Sequence, residues 1–232
     1  MILFLSGLLL SAPAAFAQAA PPTSTDLLTF SLDRVGPAAV QFQLQLDRSG
    51  HGVYAGKTTA DETQTGFSPT APIPVSVSAP VLKQLFAAVP AVVNHRCESH
   101  SRILSQSGKK TLRYTHNGAE AECTYNYSDD ERVNTATDVF QAVAETVDYG
   151  QRLAAKLRFD RLGLDTEMDH LDTAVKDGRA VELGNIAPVL QAIANDDRVM
   201  ERVRRRAAHL LEAAGMPAAQ PSGGGNPGSS AR

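Results

Sequence analysis

The chain has two cysteines and six histidines, and three of those histidines lie around the cysteines. His95, Cys97 and His100 share one short stretch, with His116 and Cys123 following. Imidazole and thiolate together suit zinc: Cys97-x-x-His100 would be half of a site, with His95 and either His116 or Cys123 completing a tetrahedron. Two cysteines with no competitor also suit a disulfide, which in an oxidising compartment removes both thiolates. Cys97 and Cys123 are therefore expected to pair, closing a loop worth about 3–4 kcal/mol in the chain-entropy account. The zinc site, built in the His95–His116 region, is the competing reading.

Two further groupings have suggestive spacing. Glu167-x-x-His170 has the spacing of the carboxylate–histidine pairs of di-iron bundles, but such sites need two pairs plus two more carboxylates. Here there is one pair, beside Asp165, Asp169 and Asp172, so a solvated helix face is expected. Arg198, Arg202, Arg204, Arg205 and Arg206 form the densest run of charge. Arg198, Arg202, Arg205 and Arg206 are the candidate patch for an anionic partner, an acidic protein or a cell-envelope polyanion. The reading favoured over that patch is a solvated face, since Glu201 precedes Arg205 at helical i,i+4 spacing. No Gly-x-Ser-x-Gly, His-Glu-x-x-His or phosphate-cradling glycine loop occurs. No catalytic residue, metal or cofactor is assigned.

The first half of the chain alternates and the second half does not. Leu28, Phe30 and Leu32, then Val40, Phe42, Leu44 and Leu46 opposite Gln41, Gln43 and Gln45, read as half-buried strands. Asp47-Arg48-Ser49-Gly50 is a turn into a returning strand at 52–57, and a polar loop follows at 58–70. Ile73, Val75 and Val77 alternate up to Ser78, the expected N-cap of one short helix whose buried side is Val81, Leu82, Leu85, Phe86 and Val89. Strands are expected at 102–107 and, after a Gly108-Lys109 turn, at 111–115. Asn117-Gly118 signals a hairpin into 119–127.

Helical periodicity begins at Thr135, where Thr135-x-x-Asp138 approximates a capping box. Val139, Val143, Val147, Leu153 and Leu157 keep one face through Gly150. Leu164, Met168, Leu171 and Val175 mark a second helix stopped by Gly178. Ile186, Val189, Leu190 and Ile193 mark a third with Pro188 in its first turn. Asp197 is the expected cap of a fourth, with Val199, Val203, Ala207 and Leu210 inward and Gly215 at its end.

This order gives an α+β fold: an N-terminal antiparallel β meander with one short helix, then a C-terminal bundle of about four helices. The organisation is a signal peptide at 1–17, a linker at 18–25, a sheet domain at 26–130, a helical subdomain at 131–215 and a disordered Pro/Gly/Ser tail at 216–232. The leader reading rests on the apolar run at 2–10 and on Ala15-Phe16-Ala17, with cleavage before Gln18. That run is about half the ~20 residues of a membrane span. A formal net charge of -3 gives no global case for nucleic acid or an anionic membrane.

Phe30-Ser31-Leu32-Asp33-Arg34, the strand ending Gly52-Val53-Tyr54-Ala55-Gly56, and the helix after Ser78 resemble an uncharacterised domain of bacterial exported proteins. The resemblance runs over about residues 30–127 and implies export and fold, with no known activity. The segment from Leu190 to Leu211 is similar to half of a HEAT-type helix pair, but a single copy cannot stack, so ordinary hairpin packing is expected. The function expected is an exported, extracytoplasmic binding domain without enzymatic activity. Its partner would be an unknown protein or cell-envelope component rather than nucleic acid, with no membrane span in the mature chain. The alternative is an extracytoplasmic hydrolase or metal-binding protein using the His95–His116 region.

Overall fold

Alternating side chains cover one face of a sheet, and a sheet with one apolar face must find a second layer. The computed structural model, which describes residues 26–34, 40–57, 71–99 and 108–217, builds that layer from helices. The strands are β1 (Asp26–Arg34), β2 (Val40–Asp47), β3 (His51–Lys57), β4 (Ile73–Ser76), β5 (Lys109–His116) and β6 (Ala119–Tyr125). They form one antiparallel sheet in the order β4-β3-β2-β1-β5-β6. The fold is α+β, as expected.

The meander expected for the whole sheet holds only from β1 to β4. β5 returns to the free side of β1, placing Phe30 between Leu44 and Leu112. Alternation shows which face a residue takes but not which neighbour a strand chooses, so this placement left no mark in the sequence. Instead of one helix, α1 (Ala79–Phe86) and α2 (Val89–Val93) cross the sheet between β4 and β5. β5 begins at Lys109, two residues before the expected start at 111, directly after Gly108 with φ +91°. The strand expected at 102–107, the loop at 58–70, the leader, the linker and residues 218–232 of the tail lie outside the described residues. Asn117 (φ +50°) and Gly118 (φ +81°) turn β5 into β6, the two left-handed residues that a type I′ hairpin requires.

The second half comprises α3 (Glu131–Phe159), α4 (Leu164–Lys176), α5 (Ala187–Asn195) and α6 (Glu201–Ala213), with 3-10 turns at Arg161–Gly163 and Leu183–Ile186. α3 starts four residues before Thr135, because Asp130 accepts from the Arg132 amide at 2.9 Å. Its polar first turn hid this start from the apolar pattern. Met200, not Asp197, occupies the N-cap of α6, and it makes no side-chain cap. Met216, assigned to the tail, packs partly buried against the helical core.

α3 belongs to both layers. Val133, Ala136, Phe140, Val143, Ala144 and Val147 are buried against the sheet, with the Phe140 ring stacked on Phe30 at 5.1 Å between centroids. Beyond them Tyr149 and Leu153 join Leu164, Met168, Leu190 and Val203 in the helical core. The apolar cores therefore divide within α3, near Asp148, rather than at the expected boundary after residue 130. A Cβ on Gly150 would stand 2.4 Å from Ile186 Cγ2, so this glycine lets the turn before α5 approach α3.

Each sheet edge carries a side-chain clamp. On β4, Asn185 Oδ1 accepts from the Ser76 amide at 2.8 Å, while its Nδ2 donates to the Ser76 carbonyl at 3.0 Å. Ser78 sits at the N-cap of α1 but does not cap it; its amide and hydroxyl donate to Glu182 at 2.9 and 2.5 Å. On β6, His95 Nδ1 meets the Glu122 carbonyl at 3.1 Å. His95 (φ +54°) and Glu182 (φ +57°) both hold left-handed backbone, a conformation uncommon for residues with a Cβ.

Candidate functional site

Cys123 lies on the core face of β6, opposite Leu112, and Cys97 follows α2. Both are buried, their Cα atoms are 6.0 Å apart, and they form a disulfide. The bond takes the Cys97 thiolate that the competing zinc site needed, and Cys123, one of its two alternative fourth ligands. The histidines do not converge either. His95 is held by the Glu122 carbonyl. His116 is held through Nδ1 by Asp26 and through Nε2 by Asn117, at 2.9 Å for the latter. His116 pairs with Ala119 across the hairpin, three residues and about 10 Å along β6 from Glu122. His100 lies outside the described residues. Among the described residues no group of three or more His, Cys, Asp or Glu side chains is disposed to hold a metal.

Glu167 is not the solvated residue its neighbours suggested. It is 8% exposed and accepts from Arg152 Nε at 2.6 Å, while the Arg152 guanidinium lies 4.2 Å from the Tyr149 ring centroid. His170 faces solvent. One helical turn back from Arg152, and missed by sequence reasoning, Tyr54 crosses from β3 to donate to Asp148 Oδ1 at 2.6 Å. The crossing depends on Gly56, where a Cβ would lie 2.1 Å from Tyr54 Oη. Tyr-x-Gly on a strand was the available signal; its partner, 94 residues away, was not legible. Burial pushes the Asp148 carboxyl up to about 6, against the lowering effect of the Tyr54 hydrogen bond. Burial, then the Asp148 charge, pushes the Tyr54 phenol above its ordinary value. The pair can store a proton near neutral pH and ties sheet to helix.

The arginines of α6 do not form one open patch. Arg202 makes a two-pronged ion pair with Asp165 at 2.9 and 2.8 Å, and Arg206 reaches Asp165 at 3.7 Å and Asp169 at 3.4 Å. Arg198 is held by Asp196, and Arg204 by Asp197 and Glu201. Arg205 is loosely paired with Glu201 at 3.8 Å. Arg198 and Arg161 together hold the Asp196 carboxyl far below the usual carboxylate range, Arg198 most of all.

Beside these pairs the end of α3 is open. A groove of about 660 Å³ runs between α3 and the end of α5, floored by Ala154, Leu157 and Ala192 and rimmed by Arg158, Arg161 and Arg198. Next to it Phe159 and Leu162 are 77% and 80% exposed, the most exposed large apolar side chains among the described residues. The Arg158 guanidinium stands 4.9 Å from the Phe159 ring centroid and has no carboxylate partner among the described residues. Phe159 falls two residues after Leu157, off the apolar face of α3, which was the available signal for this tip.

Compared with known proteins, the sequence matches no family model, and no curated protein aligns with it significantly. Among the described residues no helix is long and apolar enough to cross a membrane.

Proposed function

We propose that this protein is an exported, non-enzymatic binding domain whose contact surface is the far end of the helical bundle. The observation that carries the reading is the exposure of Phe159 and Leu162 beside the α3–α5 groove. Two large apolar side chains left this open to solvent, close in sequence to the groove's rim, suit a surface that meets something else. Export is supported by the apolar run at 2–10 with Ala15-Phe16-Ala17, by the resemblance to the exported-protein domain, and by the Cys97–Cys123 disulfide, a bond suited to an oxidising compartment.

The test is site-specific photo-cross-linking in the native cell, with the reactive group at Leu162 or, as a control, at Gln43 on the exposed face of β2. Adducts to protein or lipid at Leu162 and none at Gln43 are expected. Adducts confined to Gln43 would move the contact surface to the sheet, and none at either position would overturn the binding reading.

A further inference from the structure

The kind of partner follows from the shape and charge of that tip. Phe159 lies 12 residues beyond Val147, the last α3 residue packed against the sheet, which is about 18 Å along the helix. Phe159, the last residue of α3, and Leu162, in the turn before α4, therefore stand well beyond the stretch of α3 that packs against the sheet. The seven residues 156–162 carry Lys156, Arg158 and Arg161 against Asp160, a net of +2 in a chain whose formal charge is -3. Most of these charges are paired: Lys156 with Asp160 and Arg161 with Asp196, which Arg198 also meets, while Asp197 meets Arg204. Arg158 is the cation left over.

We infer that this tip docks on an anionic lipid bilayer surface, with Phe159 and Leu162 entering the headgroup region and Arg158 meeting lipid phosphate. The inference rests on the binding reading above and names its partner. A projecting apolar pair needs a surface that yields around it, and the headgroup layer does so. The basic flank adds attraction to anionic lipid, while the net negative remainder of the chain is repelled, so the molecule approaches tip first. A second copy is the poorer fit, because tip against tip would bring one Arg158 against another.

The experiment is co-sedimentation of the full chain with vesicles of phosphatidylcholine alone, or of phosphatidylcholine and phosphatidylglycerol in equal parts. Binding to the anionic vesicles is expected, weakened by salt and by Arg158→Gln. The double change Phe159→Ser with Leu162→Ser should lower affinity by at least about tenfold. Both side chains are exposed, so an unchanged melting temperature shows that the variant is folded. Equal binding by the double variant, or no binding to either vesicle, overturns the lipid assignment. Protein adducts at Leu162 alongside absent vesicle binding would overturn the lipid partner and leave the contact surface standing. A tip-dependent dimer in sedimentation would replace the lipid by a second copy.

Discussion

Asp148 and Tyr54 set a pH dependence whose sign is unusual for a carboxylate. A group whose folded value is raised, here from 3.8 to about 6, favours folding most when protonated. Its contribution is complete below the unfolded value near 3.8 and is lost as pH rises through about 6. The protein should gain about 1–3 kcal/mol from this group on going from pH 7 to pH 4. Comparing melting temperatures of the native chain and Asp148→Asn across that range isolates it; parallel curves would remove the argument. Gly56 is the second test at this scale. Gly56→Ala drives a methyl into the Tyr54 ring and should cost about 1–3 kcal/mol. In a Tyr54→Ala background the same change should cost much less, a coupling that a double-mutant cycle reads directly.

Among the elements, Gly150 shows where local propensity and tertiary contact disagree. Mid-helix, alanine is preferred over glycine by about 1 kcal/mol, so Gly150→Ala should stabilise if only α3 mattered. The 2.4 Å approach of Ile186 predicts net destabilisation instead, relieved when Ile186 is trimmed to alanine; chemical denaturation decides the sign. The same contrast describes what was legible. Strand faces, the Asn117-Gly118 hairpin, and the glycine stops at 178 and 215 were readable because each is encoded within a few residues. The pairing of β1 with β5 and the Tyr54–Asp148 contact were not, since each depends on what distant chain brings to it; the start of α3 at Glu131 is a local cap that its polar first turn hid. The candidate site was legible only in part: the disulfide pair and the Glu201–Arg205 pairing were named, whereas Asp165 as the partner of Arg202 was not, nor was the open surface at the last turn of α3. Reducing Cys97–Cys123 should destabilise the protein by about 2–5 kcal/mol, measured by denaturation with and without reductant. An unchanged midpoint would mean that the bond constrains little of the unfolded chain.

For the whole molecule, the governing fact is that one helix of 29 residues is shared by two apolar cores. Losing the sheet strips the first half of α3 of its cover, and losing the bundle strips the second, so neither core is expected to survive alone. Hydrogen exchange should report similar opening free energies for the β1 amides and the α5 amides, and Phe140→Ala or Leu153→Ala should lower both together. Independent opening of the two regions would contradict this.

The clamps on β4 and β6 also bear on how the protein behaves when crowded. A strand rim with free amides and carbonyls is a template on which fibrils grow; here Asn185 and His95 already occupy backbone groups on the two rims. Fibril seeding would first require residues 181–186 or 94–99 to lift away, so the lag before amyloid growth in this protein is set by local release at the sheet margins more than by how often molecules collide.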